Sequence, residues 1–179
     1  MLSLKTVFGA VMLGLFVCLG TGCNAHEMGR FKIGLEARPD LKENITVDLI
    51  AVSESQFQAW YAMNMDDYAN PNGFRDEARS QGRIRSFQID TNTRTFTILP
   101  TDPIYDAWKG IGGTPRLFVL TNENQNAARP NPVGPGNVDF RRKILPLENG
   151  AWPTKEIKII VSPNGITLDK EPESKFAVK

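Results

Sequence analysis

Any chemistry in this chain must be built almost without histidine or cysteine. Its 179 residues include one histidine and two cysteines. His26 is the residue that a catalytic triad or an imidazole metal site would need. It falls in Asn24–Gly29, a polar stretch without periodicity. Cys18 lies behind the bulky Phe16-Val17, and Cys23 lies directly behind the small residues Gly20-Thr21-Gly22. Carboxylates are the remaining candidates: Asp66-Asp67, Asp102, Asp106 and Glu123 could meet in a calcium or glycosidase site. No Asp-x-Asp-x-Asp-Gly loop organises them for calcium, and a glycosidase pair has no fixed sequence spacing. Asp102 reads better as the start of a turn before Pro103, and Asp66-Asp67 as a solvated helix end. Gly110-Ile111-Gly112-Gly113-Thr114 has the glycines of a phosphate cradle but lacks Gly-Lys-Ser/Thr. It also precedes a strand, where an anion would need a helix N-terminus, so it reads as a turn. Arg141-Arg142-Lys143 suits either an acidic partner or the charged edge of a sheet, and the edge is preferred. The expectation is a protein without catalytic residues, metal or cofactor.

The N-terminal segment is more informative. Lys5 supplies a basic start, Val7–Leu19 is apolar, and small residues lead to Cys23. The apolar run is shorter than the ~20 residues that span a bilayer, and the pattern is that of a removable export signal. It resembles the lipobox of bacterial lipoproteins, in which the cysteine becomes the new N-terminus and carries lipid. That family places Leu where this chain has Gly20, and here Leu19 stands one position earlier. The resemblance implies a signal at 1–22, lipidation of Cys23 and a tether over 23–30. An acylated Cys23 cannot serve as a nucleophile, and no second mature cysteine exists for a disulfide. Loss of Lys5 takes the formal charge from +1 to neutral, which gives no basic excess for nucleic acid. A flexible tether of this length reaches ~15 Å, so the domain should sit close to its membrane.

The elements that would position a site follow from periodicity. Phe31, Ile33 and Leu35 alternate with polar residues as a short strand. Ile45–Val52 is a second: Ile45, Val47, Leu49 and Ala51 face one way and Thr46 and Asp48 the other, with Ile50 and Val52 covered as well. Ser53-Glu54-Ser55-Gln56 is a capping-box start. Phe57, Trp60, Tyr61, Met65 and Tyr68 then form one helical stripe, ended by Asn70-Pro71-Asn72-Gly73. Phe74–Ser80 reads as a second short helix, so the helical insert covers 53–82. Ile84–Ile89 and Thr93–Leu99 flank Asp90-Thr91-Asn92 as a hairpin. Residues 100–114 read as irregular, Arg116–Thr121 as a central strand, 122–137 as a loop and Val138–Leu147 as a long strand. Glu156–Val161 and Ile166–Leu168 form a closing hairpin, and 169–179 is a charged, flexible tail. The fold class is all-β: a two-sheet antiparallel β-sandwich over 31–168 with a short helical insert.

Two stretches are candidate interaction surfaces. Trp60, Tyr61, Met65 and Tyr68 mostly pack the insert on the sandwich, yet surplus aromatics and methionines also build interfaces. The loop 122–137, with Asn124, Arg129 and Asn131, is long enough to be functional. As a layout, the chain resembles the outer-membrane lipoprotein of the type VI secretion system, the TssJ/SciN family. The matching features are the lipobox, Ile45–Val52 followed by Phe57 and the insert, the hairpin through Phe87 and Phe96, Leu117–Leu120, Ile157–Val161 and Ile166–Leu168. The loops 100–114 and 122–137 are longer than that family's. The resemblance implies a transthyretin-like sandwich that is not an enzyme. It also implies an anchor at the outer membrane, favoured by Asn24 after Cys23, and binding to the periplasmic part of an inner-membrane secretion protein (TssM-like). The rival is a lipid-anchored domain that binds a small ligand or carbohydrate on Trp60, Trp108 and Trp152.

Overall fold

Residues 27–122 and 138–177, apart from positions 69, 72 and 114, are described by the computed structural model. Their period-two segments build two four-stranded sheets. In the first, β1 (Lys32–Ala37), β4 (Thr95–Ile98), β7 (Glu156–Ser162) and β8 (Gly165–Leu168) run in the order β4-β1-β7-β8. In the second, β2 (Ile45–Val52), β3 (Ile84–Ile89), β5 (Arg116–Thr121) and β6 (Arg142–Pro146) run in the order β3-β2-β5-β6. Inward residues of both sheets share one core: Ile33, Leu35, Ile157 and Ile159 from the first, Val47, Leu49, Leu117 and Val119 from the second. The two-sheet β-sandwich expected from the pattern is therefore the fold.

One pairing departs from the antiparallel scheme. β1 and β7 run parallel, with Ile33 beside Ile157 and Leu35 beside Ile159. The chain completes the whole second sheet between them, so no tight turn forces them antiparallel. The segments around Asp90 also differ. The turn is present, with the Asp90 carboxylate accepting the Asn92 and Thr93 amides, each at 2.7 Å. However, β3 joins β2 and β4 joins β1, so this turn passes from one sheet to the other and no hairpin forms. Phe87 and Phe96 still meet across it, ring centroids 4.7 Å apart.

The insert makes a third layer. α1 (Glu54–Ala62) and α2 (Phe74–Ser80) cover the outer face of the second sheet. There Trp60, Met63, Met65, Tyr68 and Ala78 pack on Ile50, Val52, Phe118, Leu120 and Ile144. This explains why β2 is buried along both faces. α1 stops at Ala62, short of the stripe that runs to Tyr68, because Met63 adopts an extended backbone. Residues Met65–Tyr68 are a turn. Ser53 stands at the N-cap position, but its hydroxyl meets Ser55 and the Gln56 side chain and caps no backbone N–H.

Residues 100–114 hold a helix that periodicity missed, α3 (Ile104–Gly110). The Asp102 carboxylate accepts the Ile104 amide at 2.9 Å and starts it, with Pro103 in the first turn as helix starts favour. Tyr105 and Trp108 bury it against the end of the sandwich. The strand expected over Val138–Leu147 begins only at Arg142. Asp139 accepts the Arg141 amide on its side chain and the Arg142 amide on its carbonyl, which bends the chain into a turn first. The stretch expected as a flexible tail is tied down in its described part: the Glu173 amide donates to Ala151 at 2.8 Å, and Ser174–Phe176 forms a 3-10 turn.

Candidate docking surfaces

The strand directions give the sandwich two unlike poles. β1 leaves the pole where the chain enters, and its six residues carry it ~20 Å away. At the entry pole lie Glu27–Arg30, α3, residues 147–155 and the end of the tail. The chain is fastened there from Glu27 onward. Met28 bridges Glu148, the Gly29 amide donates to Leu147 at 2.7 Å, and the Asn149 amide donates to Glu27 at 2.8 Å. At the opposite pole lie the turns 38–44 and 90–94, Asn122, residues 138–141 and the β7–β8 turn.

The segments of the far pole are tied together. The Asn122 side chain accepts the Thr46 amide at 2.6 Å, and its own amide donates to Thr46 at 3.2 Å. Phe140 accepts the Ile166 amide at 3.1 Å, which joins this pole to the other sheet. Arg141 donates to Asp139 at 2.7 Å and to Asp66 of the insert at 2.7 Å. The hydrogen bond to Asp139, ahead of every other influence, holds the Arg141 pKa above the ordinary arginine value. The insert and the point where the chain re-enters at Val138 are thus clamped together. Val138 is 54% exposed, an uncommon exposure for a large apolar residue here.

Sequence reasoning missed a second polar centre. Asp48 sits in a strand otherwise covered by the insert and is 2% exposed. It accepts the Tyr68 hydroxyl at 2.8 Å, Arg75 Nε at 2.7 Å and the Ser86 hydroxyl. A buried carboxylate needs such partners, so one Asp within an apolar strand was the available signal. Burial first, and then the Asp48 charge, push the Tyr68 pKa above the ordinary tyrosine range. Every member of this centre has a structural partner, which makes it a fastening for the insert.

The residues proposed for partner binding separate into two groups. Trp60, Met65 and Tyr68 are buried in the second core, and Tyr61 is half-buried against it. They glue the insert to the sheet and present little free surface. Asn124, Arg129, Asn131 and the lipidation residue Cys23 lie outside the described residues, as do His26 and Glu123. Arg141 and Arg142, read as edge charges, are both buried. Arg142 donates to the carbonyls of Met63 at 2.9 Å and Trp60 at 3.3 Å, closing the end of α1. β6 is an edge strand as expected, but Arg142 turns inward because the insert overhangs it, while Lys143 stays at the surface and pairs with Glu171.

The carboxylates considered for chemistry are dispersed. Asp66 pairs with Arg141, Asp102 with Arg85, and Asp106 with Arg30. Among the described residues no three His, Cys, Asp or Glu gather as a metal site. Gly112 and Gly113 have φ of 80° and 67° and turn the chain out of α3. The tryptophans of the carbohydrate reading are poor platforms: Trp60, Trp108 and Trp152 are 1%, 0% and 6% exposed. The outer face of the first sheet is solvated and carries the ion pairs Lys32–Glu156 and Lys158–Glu36.

No protein-family model matches the chain, and no curated protein sequence does. Among solved structures it is similar to Serratia marcescens Lip, a membrane-bound component of the type VI secretion system. That match has 12% identity and a TM-score of 0.47, over 82% of this chain and 100% of that one. It is also similar to the type VI secretion lipoprotein TssJ1 from Pseudomonas aeruginosa, at 13% identity and a TM-score of 0.42 over the same shares. At these values neither likeness decides what the chain does.

Proposed function

We propose that the chain is a lipid-anchored docking protein on the periplasmic face of the outer membrane. It holds a type VI trans-envelope secretion complex by binding the periplasmic part of an inner-membrane partner. The observation that carries the reading is the separation of the two poles. The chain enters at one, a few residues after Cys23, which the lipobox resemblance would acylate. The segment with Asn124, Arg129 and Asn131 leaves and rejoins the sandwich at the other, through Asn122 and Val138. A lipid at one end and a recognition loop at the other is the geometry an anchor needs to reach a partner across the periplasm. The lipobox and the layout shared with the type VI lipoproteins point the same way. The buried tryptophans weigh against carbohydrate binding, and the dispersed carboxylates weigh against hydrolysis.

The test is a pull-down with the lipid-free domain on envelope extracts of the native bacterium. Recovery of a large inner-membrane protein through its periplasmic region supports the proposal. Recovery of no protein, together with saturable binding on a glycan array, overturns it in favour of a carbohydrate-binding lipoprotein.

A further inference from the structure

The sandwich is fastened to the chain sooner after Cys23 than the tether expected over 23–30. Backbone pairing of Glu27–Gly29 with Leu147–Asn149 fixes the chain from Glu27. Only residues 24–26 separate it from Cys23. Four Cα steps span at most ~15 Å. A globular domain of this size is about 40 Å across, so so short a leash cannot let it roll its far pole onto the bilayer. If Cys23 carries lipid, the entry pole is the end held nearest the headgroups.

That pole carries a hollow of about 290 Å³ lined by Phe31, Asn149, Gly150, Trp152, Pro153, Thr154 and Lys155. Lys155 has three N–H donors. One reaches Asn149 Oδ1 at 2.5 Å, and the ammonium rests 5.3 Å from the Phe31 ring centroid. Trp152 gives its indole N–H to Pro146 at 2.9 Å, so its polar edge is satisfied inside the protein. A cation with donors to spare beside aromatic rings suits the interfacial layer, where phosphate and apolar carbon meet.

We infer that the entry pole is a membrane-contacting face whose hollow takes phospholipid headgroups of the bilayer that holds the anchor, with Lys155 on their phosphates. The inference rests on lipidation of Cys23. Contact at this pole fixes the orientation of the sandwich and presents the far pole to the periplasm.

The experiment uses the full lipidated protein in phosphatidylethanolamine/phosphatidylglycerol vesicles that contain a headgroup-nitroxide lipid. Acylation leaves the mature chain without a free thiol, so Thr154→Cys and Asn92→Cys can each carry a fluorophore. Both positions are exposed, one at each pole. The expected result is several-fold stronger quenching at position 154 than at 92. Lys155→Glu should lower the quenching at 154 while flotation with the vesicles is unchanged. Equal quenching at both positions in protein that floats overturns the face while the anchor stands. Quenching at 154 that is indifferent to Lys155→Glu overturns the phosphate contact. Failure of the unsubstituted protein to float overturns the anchor, and this inference with it.

Discussion

Arg141 and Arg142 are neighbours in sequence with different tasks. Arg141 ties the far pole to the insert, whereas Arg142 closes α1 by taking the Trp60 and Met63 carbonyls. Arg142→Ala would leave those carbonyls without their donor in a dry site. Chemical denaturation should show a loss of about 3 kcal/mol, and a loss within error of zero would refute the closing role. Tyr105 sets an alkaline limit. Burial, against the opposing hydrogen bond from Phe31, pushes Tyr105 up to about 12. Unfolded tyrosine titrates near pH ~10. Between these values the folded state holds a proton that the unfolded state has lost, so stability falls as pH rises through this window. Tyr105→Phe should flatten that part of the alkaline denaturation curve, and an unchanged slope would exclude Tyr105 as its source. At this scale the sequence was only partly legible. Alternation identified the buried faces of β2, down to Ile50 and Val52. It could not tell that Arg141 and Arg142 are buried against the insert, because that depends on residues some eighty positions earlier.

The elements were legible wherever local patterning decides them. All eight strands, both helices of the insert and the turn at Asp90 follow from period and turn residues, whereas the capping box expected at Ser53 does not form. Pairing was not, since the partner of a strand is chosen by the whole core. β7 lies parallel to β1 after more than a hundred residues, and β3 and β4 separate onto different sheets despite a good turn between them. α3 was missed because Gly and Pro around it masked the spacing of Tyr105 and Trp108. Two glycines make the turn requirements testable. Gly165 has φ of 107°, and a Cβ there would stand 2.5 Å from the Phe140 carbonyl oxygen. Gly82 has φ of 65° with open space around it. Gly165→Ala should therefore cost about 3 kcal/mol, and Gly82→Ala only about 1 kcal/mol. Equal thermal unfolding midpoints for the two variants would contradict the close approach at Phe140.

For the whole molecule, the proposed function gives each pole its own task. The entry pole is bound to Cys23 by a short leash, and the far pole is braced by the Asn122–Thr46 and Arg141–Asp66 contacts. Cys23→Ser should yield a folded, unlipidated domain or an uncleaved precursor, neither incorporating labelled palmitate, and label retained in that variant would place the anchor elsewhere. The polarity itself was not legible in the sequence, because it arises from the direction of β1 and the return of Glu27–Gly29 onto Leu147–Asn149. The measurement that bears most directly on the proposed function is a calorimetric titration. The folded, unlipidated domain would be titrated with the periplasmic region of the type VI inner-membrane partner from the same bacterium. Saturable, equimolar binding that Arg129→Glu weakens about tenfold or more is the predicted result. A folded domain that gives no saturable binding would contradict the account.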